Sequence, residues 1–261
     1  MQTESKKAIL IVSFGTTHND TRAVTIDAIE QAAREAFPQY QIYRGWTSKM
    51  IISRLKKRDN IHIPTVSEAM AAMSKDGITD VIVQLTHIIN GIENEQMIAD
   101  ALAFQKSFHS IRFGNPLLTT TQDHHKAIRA IAHEFPDLPA DTALVLMGHG
   151  TTHFANSVYA ALDYTFKDLG YSNIFLGTVE AYPSMESLIK MVKSYGAKKI
   201  ILAPFMIVAG DHAKNDMSGE DEDSWYYQFK QAGYDVKCVL KGLGEYPEIR
   251  DLLMEHISDV I

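Results

Sequence analysis

His149, Glu180 and His212 lie far apart in a chain of 261 residues, yet each follows a short apolar, β-branched run. His149 comes after residues 143–147, Glu180 after 174–179, and Asp211-His212 after 199–204 and an apolar extension. If these runs are parallel strands, the chain delivers a histidine, a carboxylate and a second histidine to one sheet edge. That edge, beyond the carboxyl ends of the strands, is where function collects in open α/β sheets. Imidazole and carboxylate together suit a borderline divalent ion such as Co²⁺, Ni²⁺, Fe²⁺ or Zn²⁺. Each residue alone has a plainer reading, as a loop hydrogen-bonder, a helix cap or a solvated charge; their joint arrival in register is what points to metal. Gly148 and Gly150 flank His149, and Gly210 stands beside His212. Such glycines would let a bulky, flat ligand approach the backbone without meeting a Cβ.

The elements that must position these residues are legible as alternating periods. Strand-like runs occupy residues 8–13, 41–44, 80–85, 143–147, 174–179, 199–204 and 235–240. Amphipathic stretches lie between them at 21–36, 66–75, 94–108, 126–134, 184–195 and 247–257. Strand-then-helix alternation predicts an α/β fold with helices on both faces of a parallel sheet. The chain also repeats itself. Ala8-Ile-Leu-Ile-Val-Ser-Phe-Gly-Thr-Thr-His18 returns as Ala143-Leu-Val-Leu-Met-Gly-His-Gly-Thr-Thr-His153, and residues 80–91 are echoed at 199–210. Parallel strands in general look alike, but a shared Gly-Thr-Thr-His does not follow from that. Two similar Rossmann-like lobes are therefore expected, 1–135 and 136–261, joined where Pro136 and Pro139 break a helix. The last helix is free to pack back on the first lobe. In the first lobe Ser13-Phe-Gly15-Thr16-Thr17 takes the place of the His149 loop without an imidazole. One copy would ligate metal while the other contacts the body of a substrate across a cleft.

Other candidates keep two readings. His87 ends the 80–85 run, where it could bind substrate, shuttle a proton, or simply hydrogen-bond a neighbouring loop. His18 and His153, each after Thr-Thr, read as helix N-caps, and His124-His125 as a solvated loop. The basic run Arg54–Arg58 is the solvated face of a helix or a device that steers a polycarboxylate. The acidic run Glu220–Asp223 is an exposed loop leading into a helix, with a cation-gathering lip beside His212 as the alternative.

Composition removes several classes. Twenty-five Lys and Arg against 32 Asp and Glu give a net charge of −7, which disfavours nucleic acid. A single cysteine excludes an internal disulfide, a Cys-type zinc site and an iron–sulfur cluster. No apolar run approaches a membrane span, and residues 1–7 lack the features of an export signal, so a soluble cytoplasmic protein is expected. There is no Gly-x-Ser-x-Gly elbow and no Walker loop, and Gly242-Leu-Gly244 lacks the third glycine of a dinucleotide fingerprint.

Val12-Ser-Phe-Gly-Thr16, Trp46-Thr-Ser-Lys-Met-Ile-Ile52, His87-Ile-Ile-Asn-Gly91, Met147-Gly-His-Gly150, Val179-Glu-Ala-Tyr-Pro183 and Val208-Ala-Gly-Asp-His-Ala213 together resemble the anaerobic cobalt chelatases of the cobalamin pathway. These are class II chelatases related to ferrochelatase, and the likeness runs over essentially the whole chain. It implies two similar α/β lobes with a cleft between them. It implies a lyase that inserts Co²⁺, its substrate metal, into sirohydrochlorin or precorrin-2 with no ATP and no organic cofactor. Carried over residue by residue, the metal site falls on His149, Glu180 and His212, with His149 and Glu180 as the catalytic pair. Ferrochelatases generally pair one histidine with a glutamate, so the second histidine places this chain nearer the cobalt branch. Periplasmic members carry an export signal, from which this chain departs. Candidate substrate contacts are Ser13, Gly15, Thr16, Thr47, Ser48 and His87, with Arg44, Lys49 or Arg54 for the carboxylate rim of the ring. Fe²⁺ or Ni²⁺ insertion, a tetrapyrrole or metal carrier, and a hydrolytic metalloenzyme are the competing readings. The resemblance leaves open a monomer or a homo-oligomer.

Overall fold

Apolar runs become strands because both faces of each sheet are covered, so the residues of the inner strands are almost all buried. The computed structural model describes residues 5–261. Strands β1 (Lys7–Ser13), β2 (Gln41–Trp46), β3 (Asp80–Leu85) and β4 (Ser110–Gly114) form one sheet in the order β2-β1-β3-β4. Strands β5 (Thr142–Gly148), β6 (Ile174–Thr178), β7 (Lys199–Pro204) and β8 (Asp235–Cys238) form a second in the order β6-β5-β7-β8. All pairings are parallel, and the two orders are the same permutation. The internal repeat of the sequence is thus a repeat of topology.

The helices are α1 (Asn19–Val24), α2 (Ile26–Ala36), α3 (Lys49–Asp59), α4 (Val66–Lys75), α5 (Ile92–Leu102), α6 (Thr121–Glu134), α7 (Ser157–Asp168), α8 (Met185–Tyr195), α9 (Trp225–Gln231) and α10 (Pro247–Ser258). One compact unit ends at Thr119 and regains Pro247–Ile261; the other is Thr120–Tyr246. α6 therefore falls in the second unit, ahead of the proline segment where the join was drawn from sequence. In the first unit Ala8, Leu10 and Val12 pack with α4 and α5 residues such as Met70 and Met97. α10 lies against α2, β3 and β4, where His256 Nδ1 meets the Asn115 carbonyl at 3.0 Å. In the second unit Val145 and Met147 pack with Leu188 and Val192 of α8 and with Trp225 and Phe229 of α9. Each fully buried aliphatic side chain contributes roughly 1.5–3 kcal/mol.

Four local expectations need correction. The stretch 21–36 is two helices, because Thr25 leaves helical geometry at φ −118°, ψ −81° and its hydroxyl donates to the Thr21 carbonyl at 2.6 Å. His124 and His125 lie inside α6, not in a loop. The helix starts earlier than its apolar pattern because Thr120 and Asp123 form a capping box. Strand β4 is absent from the sequence reading: it is short, and its half-buried residues, Arg112 among them, break the apolar run. The second half of 94–108 is a short 3₁₀ turn at Gln105–Ser107 rather than a continuation of α5.

Asp80, at the head of β3, accepts hydrogen bonds from Ser5 at 2.6 Å, Ser110 at 2.7 Å and Thr79 at 2.8 Å. Those hydroxyls, Ser5 first, lower its carboxyl from 3.8 to about 2. A lowered folded-state value means stability that is present above about pH 4 and lost as pH falls through about 2. Asp80→Asn should therefore flatten the fall in urea midpoint across that window; an unchanged acid limb would show that the three hydroxyls do not favour the charged form.

Candidate metal centre

β5 is an inner strand of the four-stranded sheet in the second unit, with β6 on one side and β7 on the other. His149 follows β5 directly and Glu180 sits two residues past β6. Parallel pairing continues beyond both strands: the Val179 N–H donates to the Gly148 carbonyl and the Glu180 N–H to the His149 carbonyl, each at 3.0 Å. These bonds hold the two ligand-bearing residues side by side. On the other flank, the Phe205 N–H donates to the Met147 carbonyl at 2.6 Å, and the chain then runs to Gly210 and His212. His212 immediately precedes a π-helical turn, Ala213–Met217.

The result is a convergence of three donors. His149, Glu180 and His212 each offer a ligand atom, all within 4.8 Å of one another. The two imidazoles meet edge to face at 90°, with centroids 4.6 Å apart, and His149 Nδ1 lies 3.7 Å from Glu180 Oε2. A carbonyl or carboxylate can only accept, so its partner nitrogen carries the proton. His149 Nδ1 faces the Gly150 carbonyl at 2.8 Å and His212 Nδ1 faces Asp216 Oδ2 at 2.6 Å. Both rings are thereby left with an Nε2 lone pair for a metal. The side chains of His149, Glu180 and His212 are 42%, 54% and 37% exposed, so an ion held there can enter and leave. Three protein donors would leave open coordination positions, as exchange requires.

The glycines around His149 serve a different purpose from the one expected. A Cβ on Gly148 would lie 2.6 Å from the Tyr159 ring, and one on Gly150 would lie 2.9 Å from Thr178 Cβ. That space is filled by the protein's own side chains, so it admits no flat ligand. Tyr159 is buried and bonded to the Gly150 backbone, and burial pushes its hydroxyl up to about 12. It stays protonated and fixes the loop rather than reacting.

The first unit repeats the backbone scheme with other side chains. The Thr47 N–H donates to the Ser13 carbonyl at 3.0 Å and the Ser48 N–H to the Phe14 carbonyl at 3.2 Å. Phe14 thus stands where His149 does, and Ser48 where Glu180 does. Ser13 is buried and accepts a hydrogen bond from the Thr86 hydroxyl at 3.0 Å. Thr16 is buried and accepts the His18 N–H at 3.2 Å, while Ser48 caps α3 through the Ile51 N–H. Gly15, at φ +104°, lies so close to the Trp46 ring that a Cβ would come within 2.5 Å of it. Thr47 and His87 are half-buried, and the His87 ring meets Phe14 edge-on with centroids 6.2 Å apart. Arg44 is engaged internally, with Nε 2.6 Å from the buried Glu30 and a further ion pair to Asp27. Lys49 and Arg54 are exposed on α3. His153 caps the 3₁₀ turn at Phe154–Asn156 by accepting from the Ala155 N–H, whereas His18 holds the N-cap position of α1 without a side-chain cap bond. Among the described residues, the one group of three donors within metal-binding reach is His149, Glu180 and His212.

Asp216 escaped notice in the sequence, although its i, i+4 spacing from His212 was available there as a signal. The family model described as cobalt chelatase (CbiK) matches residues 7–261. Sirohydrochlorin cobaltochelatase of Salmonella typhimurium is 37% identical over 98% of this chain and 97% of its own. Sirohydrochlorin cobaltochelatase CbiKC of Nitratidesulfovibrio vulgaris is 30% identical over 98% of this chain and 91% of its own. The structure of SirB from Bacillus subtilis with Fe³⁺ shares the fold, with a TM-score of 0.67 at 12% identity, over 97% of this chain and 95% of that one. The chain belongs to the cobalt chelatase (CbiK) family.

Proposed function

We propose that this chain inserts Co²⁺ into sirohydrochlorin without ATP, with His149, Glu180 and His212 as the site that receives the ion. The observation that carries the reading is the meeting of three donors within 4.8 Å at the ends of three adjacent strands. The substrate is supported by two full-length relatives named for that reaction. Insertion exchanges two pyrrole N–H protons for one Co²⁺, so the ring needs a metal donor and a proton acceptor on one face. Glu180 and His212 hold the ion while its waters leave. His149 is both ligand and base: the lone pair that releases the ion can then take a proton. The second proton leaves to solvent, to which all three side chains are open.

Contacts to the macrocycle belong, in this reading, to the strand-end loops of the first unit, with Thr47 and His87 foremost. The hydroxyls of Ser13, Thr16 and Ser48 are engaged within that unit and act by shaping the loops around Gly15. In the same reading the enzyme works in the cytoplasm. Cys238, its one cysteine, is half-buried in β8 and is not among the three donors that lie within reach of one another. Among the described residues no helix is long and apolar enough to cross a membrane.

The test is the absorbance change on mixing protein, sirohydrochlorin and buffered Co²⁺ with no nucleotide present. Multiple turnovers are expected, at about 10²-fold or more above the protein-free rate. Stoichiometric binding with no acceleration would make the protein a carrier and end the enzymatic reading.

A further inference from the structure

We infer that Asp216 is a positioning residue for His212, making it the arm of the metal site that retains the ion while His149 is the arm that hands it over. The inference rests on the reading of His149, Glu180 and His212 as the receiving site. Its basis is an asymmetry between the two histidines. His149 is oriented by a neutral acceptor, the Gly150 carbonyl at 2.8 Å; His212 is oriented by a carboxylate, Asp216 Oδ2, at 2.6 Å. A charge-assisted bond is roughly twice as strong as a neutral one. A carboxylate behind an imidazole also makes the opposite nitrogen a better donor. Asp216 also places a negative charge behind the His212 ring, which favours a cation at the opposite nitrogen.

The local backbone is built to keep Asp216 there. The π-helical turn Ala213–Met217 is anchored on its inner side by Ala213 and Met217, both fully buried. It closes through the wide Ser218 N–H to Ala213 carbonyl bond at 3.2 Å and the Gly219 N–H to Asn215 carbonyl bond at 2.9 Å. A Cβ on Gly219 would lie 2.3 Å from that Asn215 carbonyl, so the closure depends on glycine. π turns of this kind recur at functional sites. The first unit shows that the fold itself does not call for the carboxylate. There, Gly91 leads into the regular helix α5, and the residue six places on from it is Met97, fully buried in the core. Asp216 is six places on from Gly210, half-exposed, with its carboxylate turned to His212.

The experiment uses the full chain and Co²⁺ alone, without tetrapyrrole, reading affinity by competition with a chromophoric chelator and coordination by the visible cobalt spectrum. Asp216→Ala should weaken Co²⁺ binding by about 10- to 100-fold and alter the spectrum, with the thermal midpoint unchanged. Asp216→Asn, whose amide oxygen still accepts the Nδ1 proton, should lose less. Because Asp216 acts through His212, the double variant His212→Ala/Asp216→Ala should bind no more weakly than His212→Ala. If Asp216→Ala binds like the unaltered chain while His212→Ala is impaired, or if the two losses simply add, the positioning role is wrong and the metal site stands. If His149→Ala and His212→Ala both bind Co²⁺ normally, the receiving site itself is wrong.

Discussion

His149→Ala is expected to reduce metallation of sirohydrochlorin to near the protein-free rate, a loss of about 10²- to 10⁴-fold, while the protein stays folded. The size of the effect follows from the double duty of one side chain. In the proposed mechanism its Nε2 is a ligand while the ion is held and an acceptor once the pyrrole nitrogens give up their protons, and alanine supplies neither. Folding is spared because the imidazole is 42% exposed and outside the core. The contacts that fix the loop are made by the backbone: the His149 carbonyl still accepts the Glu180 N–H, and the Gly150 backbone still meets Tyr159. The measurement is initial rate at saturating Co²⁺, alongside circular dichroism and thermal midpoint. Saturating metal matters because it separates the base from the ligand. A variant deficient only in affinity would recover under excess Co²⁺, and one lacking its base would not. Full recovery would move the proton acceptor elsewhere, to Glu180 first.

How much of this was written in the sequence depends on whether the deciding partner was near or far along the chain. The strand ends carrying His149, Glu180 and His212 were legible because parallel strands buried on both faces leave continuous apolar runs, and polar residues just past them must emerge at one edge. The duplication was legible because Gly-Thr-Thr-His survives in both copies. What the runs could not show is how hydroxyls and glycines are used. Ser48 looked available for substrate but caps α3, and Arg44 looked available for carboxylates but is engaged with Glu30 and Asp27 from α2. Gly148 looked like room for a ligand until Tyr159, from α7, filled the space. For Arg44 and Gly148 the partner comes from a different element, and no local pattern announces it; for Ser48 it is the Ile51 N–H three residues on. Strand β4 was missed for another reason: half-buried and only five residues long, it carries Arg112 where an apolar run would be expected. The π turn lies further from reach still, since its one-residue widening changes no residue type.

Gly150→Ala should cost about 3 kcal/mol of stability and, separately, weaken Co²⁺ binding at least about tenfold. Two terms enter the stability loss. At φ +85° an L side chain is strained by roughly 1–2 kcal/mol wherever it points. Here the new methyl would also sit 2.9 Å from Thr178 Cβ and 3.0 Å from both the Cβ and the backbone nitrogen of Ala181. Overpacking of that kind costs roughly another 1–3 kcal/mol. The second clash carries the functional consequence. Ala181 is the neighbour of Glu180, so relief by backbone movement shifts the carboxylate away from His149, and it disturbs the Gly150 carbonyl that orients the imidazole. Gly196 provides the control, because it caps α8 at nearly the same φ, +87°, with nothing within 4 Å of a Cβ. Gly196→Ala should lose only the conformational term, about 1 kcal/mol, and bind Co²⁺ normally. Urea unfolding and Co²⁺ titration of the two variants side by side separate strain from displacement. Equal, small losses in both, with binding intact, would show that the β5 and β6 loops yield without moving Glu180, and that the spacing of the ligands does not depend on Gly150.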